Sequence, residues 1–221
     1  MQQDIRVINE LVRKESAFVG QVLSEVEKVI VGQRGMVERV LLALLTGGHI
    51  LLEGVPGLAK TLTVNTLAQT LHAAFQRIQF TSDLLPGDVL GVSIFNPKSS
   101  DFEFRQGPVF TEILLADEIN RTSPKTQSAL LEAMSENQVT IDGVTRKLAD
   151  HFFVIATQNS QHQTGTFPLP ESQLDRFMMR ISLGYPDARS ERELLEGANP
   201  KQRLEKLPSL ITAKELEVIQ A

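Results

Sequence analysis

Val19, Val22, Leu23, Val26 and Ile30 recur at helical spacing, and Val37, Val40, Leu41, Leu44 and Leu45 do so again, which predicts two amphipathic helices. Gly47-Gly48 is a natural stop for the second. The short apolar run 49–52 then predicts a buried strand that feeds Gly54. Helical spacing returns after Thr61 at Val64, Leu67, Ala68 and Leu71, so the intervening segment lies between a strand and a helix. Further buried strands are predicted at 113–116, at 152–157 and around 179–183. With helices between them, the pattern predicts an α/β fold around a mainly parallel central sheet.

Two segments break the alternation and predict inserted hairpins. Residues 92–110 hold Ile94 and Phe95, the turn-rich run 96–101, then Phe102 and Phe104 in alternation. Around 139–145, Val-Thr-Ile and Val-Thr flank Asp142-Gly143, a strong two-residue hairpin signal. Past Tyr185-Pro186 the chain turns polar and helical, over 188–196 and 213–220, which predicts the start of a second, helical domain at 186–221 beside a core of 1–185.

A chain of 221 residues, 42% hydrophobic and 22% charged, can bury a sizeable core and excludes disordered and fibrous classes. No apolar run approaches the roughly 20 residues that span a bilayer, and the acidic residues near Met1 do not suit a signal peptide, so a cytoplasmic location is expected. The absence of cysteine excludes disulfides, thiolate zinc sites and cysteine nucleophiles. A net charge of −5 gives no strong nucleic-acid signal.

The chemistry concentrates in three places. Gly54-Val55-Pro56-Gly57-Leu58-Ala59-Lys60-Thr61 matches the phosphate-binding loop, with Ala59 where the second glycine usually stands; Leu62 follows. Such a loop aims backbone N–H groups at a β-phosphate, its lysine neutralises β- and γ-oxygens, and its threonine hydroxyl ligates Mg²⁺. Taken alone, the loop also reads as a Gly/Pro turn with an incidental Lys-Thr. Second, the apolar run 113–116 ends in Asp117 and Glu118, two carboxylates that are costly there unless a cation is near. Asp117 would hold Mg²⁺ and Glu118 would take a proton from attacking water. Third, the run 152–157 ends in Gln158 and Asn159, and Asn159 would lie at the same end of the sheet as Asp117, where open α/β sheets bind ligands.

Together these segments resemble the AAA+ ATPases, and within them the MoxR family. The resemblance rests on Val31-Gly32-Gln33, LLEGVPGLAKT, RIQFTSDLLPGDVLG, FRQGPVF, LLADEINRTSPKTQSALLEAMSENQVTIDG, FFVIATQN and GTFPLPESQLDRF. It implies a P-loop NTPase core that binds ATP and Mg²⁺, with Val31 and Gly32 lining the adenine pocket, Asn159 as sensor 1 and Arg176 as arginine finger. It further implies an oligomeric ring, commonly hexameric, in which Arg176 reaches the γ-phosphate on a neighbouring subunit. The two hairpins resemble the helix-2 and pre-sensor-1 inserts, which usually face the pore or the substrate. A helical lid carrying a sensor-2 arginine is expected beyond Ala221. Ser82 and Ser160 stand where the family has proline, and His162 and Thr164 where it has acidic residues; all lie outside the nucleotide motifs.

Ser123-Pro124 reads as a helix N-cap and first helical position. Arg121 reads either as a cation facing a neighbouring site or as a surface arginine. Arg146 and Lys147 read as a solvated strand end more readily than as nucleic-acid contacts, and the scattered histidines have no ligand spacing. The resemblance implies a chaperone or remodelling ATPase acting on a protein substrate, with a von Willebrand factor A domain protein as partner. A nucleic-acid motor is the alternative, and its basic pore hairpin is not matched by the Asp142-Gly143 tip.

Overall fold

The structure, a computed structural model, describes residues 18–30, 32–54, 60–159 and 165–182, with Ser16, Gly184, Arg192, Leu207, Pro208 and Leu210. The proposed lid segment 186–221 lies almost wholly outside them. The chain forms two compact units, 1–45 with 59–73 and 185–221, and 46–58 with 74–184.

The first unit contributes helices at 18–27 (α1), Arg34–Leu45 (α2) and Lys60–Thr70 (α3). Helix α2 buries Val37, Val40, Leu41 and Leu44 of the predicted stripe together with Met36 and Ala43, while Leu45 is only partly buried, and the chain turns at Gly47 with φ +68°. Thr66 and Thr70 of α3 are fully buried and return their hydroxyls to the carbonyls of Leu62 and Thr66, so neither hydroxyl is left unsatisfied.

The second unit is built on a five-stranded sheet of β1 (His49–Glu53), β2 (Phe75–Gln79), β5 (Ile113–Asp117), β8 (Phe153–Gln158) and β9 (Phe177–Ser182), in the order β2-β5-β8-β1-β9. Every pairing is parallel. Central strands β1, β5 and β8 are buried along their length, as their unbroken apolar runs require. Helices α4 (Pro86–Leu90) and α5 (Pro124–Glu136) belong to the same unit. On α5, Leu130, Leu131, Ala133 and Met134 join Leu114, Ala116, Val154 and Ala156 in one core, with Phe80, Val89, Val109 and Ile119. Ser123 caps α5 and Pro124 opens it, as expected.

Both predicted hairpins form: β3 (Gly91–Asn96) with β4 (Asp101–Gln106), and β6 (Gln138–Ile141) with β7 (Val144–Lys147). Asp142 and Gly143 take φ +53° and +75°, and Ile141 pairs with Val144, the backbone of a two-residue hairpin turn. Three strand expectations are corrected. Strand β8 runs one residue further along the chain than 152–157. Strand β9 starts at Phe177 rather than near Met179, because a bulge between His49 and Ile50 lets it pair with β1 from its first residue. Strand β2 was not expected at all: as an edge strand it buries only Ile78 and so carries no apolar run.

Candidate functional site

All five strands of the sheet run the same way, so their carboxyl ends share one edge. Each ends in a polar residue: Glu53, Gln79, Asp117, Gln158 and Ser182. That edge is where open parallel sheets bind ligands.

Asp117 ends β5 with both carboxylate oxygens engaged. Oδ2 accepts from Arg77 Nη2 at 2.6 Å, and Oδ1 accepts from Thr157 Oγ1 at 2.6 Å. The Thr157 hydroxyl also accepts from the Glu118 backbone N–H at 2.9 Å, so one buried side chain of β8 sets the position of both acidic residues.

Glu118 leaves the strand with φ +58° and ψ +48°. That left-handed conformation costs a residue with a Cβ about 1–2 kcal/mol, and it turns the chain at once into the short 3₁₀ turn Ile119–Arg121. The carboxylate is gripped from three elements. Gln79 Nε2 and Arg121 Nη1 each donate to Oε2 at 2.9 Å, and Asn159 Nδ2 donates to Oε1 at 3.3 Å. Asp117, Glu118 and Asn159, singled out separately in the sequence, therefore converge here. Arg121 is a partner of Glu118, with its guanidinium half exposed. Arg77 and Gln79 were not foreseen, and they link to each other, Arg77 Nη2 donating to Gln79 Oε1 at 2.9 Å.

Glu53, buried at the end of β1, accepts from Gln158 Nε2 on β8 and pairs with Arg180 Nε of β9 at 2.5 Å. The last residue before the glycine loop is thus tied to both neighbouring strands, and the Gly54 N–H reaches Gln158 O at 3.4 Å. In the other unit, Lys60, Thr61 and Leu62 form the first turn of α3, whose eleven residues carry no acidic group in that turn. A helix start with no acidic side chain of its own favours an anion. Gly32 has φ +75°. Val31, Val55, Pro56, Gly57, Leu58 and Ala59 lie outside the described residues, as do Ser160, His162 and Thr164.

Arg176 is not part of this cluster. It follows α6 (Glu171–Leu174), and its Nη1 donates to Leu131 O at 2.7 Å and to Ser135 Oγ, both on α5. Arg146 lies over the Phe104 ring at 3.9 Å and donates to Ile141 O and Val144 O, which ties the two hairpins together.

Among the described residues no group of three acidic, histidine or cysteine side chains could hold a metal by itself. Mg²⁺ suits the donors present: it is commonly held by one or two carboxylates and a nucleotide's phosphates, and Asp117 offers such a carboxylate. No helix among the described residues is long and apolar enough to cross a membrane.

The profile of the ATPase family associated with various cellular activities (AAA) matches residues 49–179. The uncharacterized protein YeaC of Bacillus subtilis is 51% identical over 203 residues, covering 92% of this chain and 63% of its own. Chaperone MoxR1 of Mycobacterium tuberculosis is 50% identical over 180 residues, covering 80% of this chain and 48% of its own. The crystal structure of a candidate ATPase from Cytophaga hutchinsonii superimposes with a TM-score of 0.85 at 47% identity, over 98% of this chain and 66% of that one. The chain thus spans about half to two thirds of the length of these relatives. With the family profile running from the start of β1 into β9, and MoxR proteins among its relatives, the chain belongs to the AAA ATPase family, in its MoxR-type branch.

Proposed function

We propose that this chain is the Mg²⁺-dependent, ATP-hydrolysing core of a MoxR-type chaperone or remodelling factor. The observation that carries the reading is Glu118, held in a left-handed conformation beside Asp117 with its carboxylate aligned by Gln79, Arg121 and Asn159. Backbone strain and three converging donors around one acid suit a catalytic base.

In this reading residues 54–61 cradle the phosphates, Lys60 neutralises β- and γ-oxygens, and Val31, Gly32 and Leu62 border the nucleotide. Thr61 and Asp117 hold Mg²⁺, which when bound offsets charge on the phosphates. Glu118 accepts a proton from the attacking water and Asn159 positions that water. Arg176 acts on the site of a neighbouring subunit. Residues 1–185 form the nucleotide-binding core and 186–221 open a helical lid. The assembly is a ring of six in the cytoplasm, acting with a von Willebrand factor A domain partner on a protein client. The name of chaperone MoxR1 supports the chaperone role. So does the β3–β4 hairpin, which exposes Val92, Ile94, Phe95 and Phe102, since exposed apolar groups of this kind serve protein contacts.

The test separates binding from turnover. Glu118→Gln should bind ATP with the affinity of the parent and hydrolyse it about 10²–10⁴-fold more slowly, while Lys60→Ala should lose binding. Wild-type turnover in Glu118→Gln, or unchanged affinity in a folded Lys60→Ala protein, would overturn the reading.

A further inference from the structure

Asp117 is the proposed Mg²⁺ carboxylate, yet one of its oxygens already has a cation. Arg77 Nη2 lies 2.6 Å from Oδ2, and Thr157 takes the other oxygen. The pair is one-sided in its burial: the Asp117 side chain is 15% exposed and the Arg77 side chain 44%. A carboxylate so far withdrawn from water needs a positive partner, whereas the guanidinium can swing out to solvent at little cost.

The backbone explains why an arginine serves here. Arg77 pairs with Leu115 across the β2–β5 ladder, so its Cα stands two residues, about 6.6 Å, short of Asp117. A long side chain running along the strand edge spans that gap. Gln79, the residue paired with Asp117, steadies the guanidinium by accepting from the same nitrogen at 2.9 Å. Among the described residues β2 is the edge strand, with no further strand paired beyond Arg77.

We propose that Arg77 is a positioning residue that competes with Mg²⁺ for Asp117: the guanidinium neutralises and aligns the carboxylate, and would have to give up its hold on Oδ2 for Asp117 to serve Mg²⁺ through that oxygen. The idea rests on the proposed role of Asp117. It makes Arg77 a brake on metal affinity, opposite to what a cation helping to hold nucleotide would do. Two effects act in the same direction when Arg77 is removed, since a competitor for Oδ2 and a repelling charge both disappear.

The experiment uses the full-length protein and a fluorescent ADP analogue. The Mg²⁺ concentration that half-saturates nucleotide binding is measured together with the melting temperature with and without Mg²⁺·ADP. Arg77→Ala should lower the half-saturating Mg²⁺ about fivefold, the equivalent of ~1 kcal/mol for a partly exposed ion pair. Its melting temperature without metal should fall, and the deficit should shrink when Mg²⁺·ADP is added. Arg77→Lys should lie between parent and alanine variant. Gln76→Ala, an exposed residue on the same strand, should leave both readouts unchanged. An unchanged or raised Mg²⁺ midpoint in Arg77→Ala, or an equal change in Gln76→Ala, overturns the proposal while leaving the ATPase reading intact. Nucleotide binding by the parent with no Mg²⁺ dependence overturns both.

Discussion

The partly buried His49 imidazole of β1 links its strand to β8 and α5 in the second unit. Its Nδ1 accepts from the Val154 backbone N–H at 3.0 Å, which leaves the hydrogen on Nε2, 3.2 Å from Met134 O on α5. Burial lowers its pKa, opposed only in part by the Met134 carbonyl. A second proton has nowhere to go, because Nδ1 already faces a donor. The folded protein therefore resists a proton that the unfolded chain accepts below about pH 6.5. The neutral ring's contribution is complete above that pH and is lost as pH falls towards the lowered folded-state pKa, with a slope of at most about 1.4 kcal/mol per pH unit. Urea unfolding between pH 7.5 and 5 should show this slope, and His49→Gln should flatten it. An identical slope in the variant would mean that other groups carry it. At this scale the sequence was legible wherever a residue was locally anomalous. Asp117, Glu118 and Asn159 stand out because each polar group follows a buried apolar run. Arg77 and Gln79 sit on a polar edge strand among ordinary neighbours, and only the β2–β5 register brings them to the two carboxylates.

Elements show the same division between local and tertiary information. The β6–β7 hairpin could be read because its turn chemistry is complete in two residues, whereas β2 could not, since an exposed edge strand has no hydrophobic period. The root of the β3–β4 hairpin is a third kind of case. A Cβ on Gly107 would stand 2.3 Å from Val89 O and 2.5 Å from Gly91 N, so the two legs of the hairpin cross with room only for hydrogen. Gly143, with φ +75°, has no atom within 4 Å of where a Cβ would be. One substitution should therefore cost two different amounts. Gly143→Ala meets only the backbone penalty of about 1 kcal/mol, while Gly107→Ala must move backbone and should cost about 2–4 kcal/mol. Equal losses in chemical denaturation would mean that the hairpin root yields easily.

In the proposed assembly the residue to test is Arg176, which is hydrogen-bonded to Leu131 and Ser135 of α5. If it completes a neighbour's site, Arg176→Ala should keep ATP affinity and lose about 10³–10⁵ in turnover. Lys60→Ala should lose both. Each variant on its own should then be inactive. Mixed and allowed to exchange, the two proteins form some interfaces that pair an intact loop with an intact finger, and ATPase activity should return. If exchange is verified and activity does not recover, Arg176 does not act between subunits. Nothing in the hydrophobic pattern of a single chain encodes such a role; it entered through the resemblance of the LDRF segment.

The order of strands also sets a timetable. Strand β1 is central in the sheet, but its partners β8 and β9 lie roughly a hundred residues further along the chain, Ile50 pairing with Ile155 and Met179. At about 5–20 residues per second of synthesis, the apolar run of β1 waits on the order of 5–20 s before either of its edges can be paired. The newborn chain therefore passes through an interval with a central apolar strand open on both sides, and during that interval its own fate depends on being kept from aggregating.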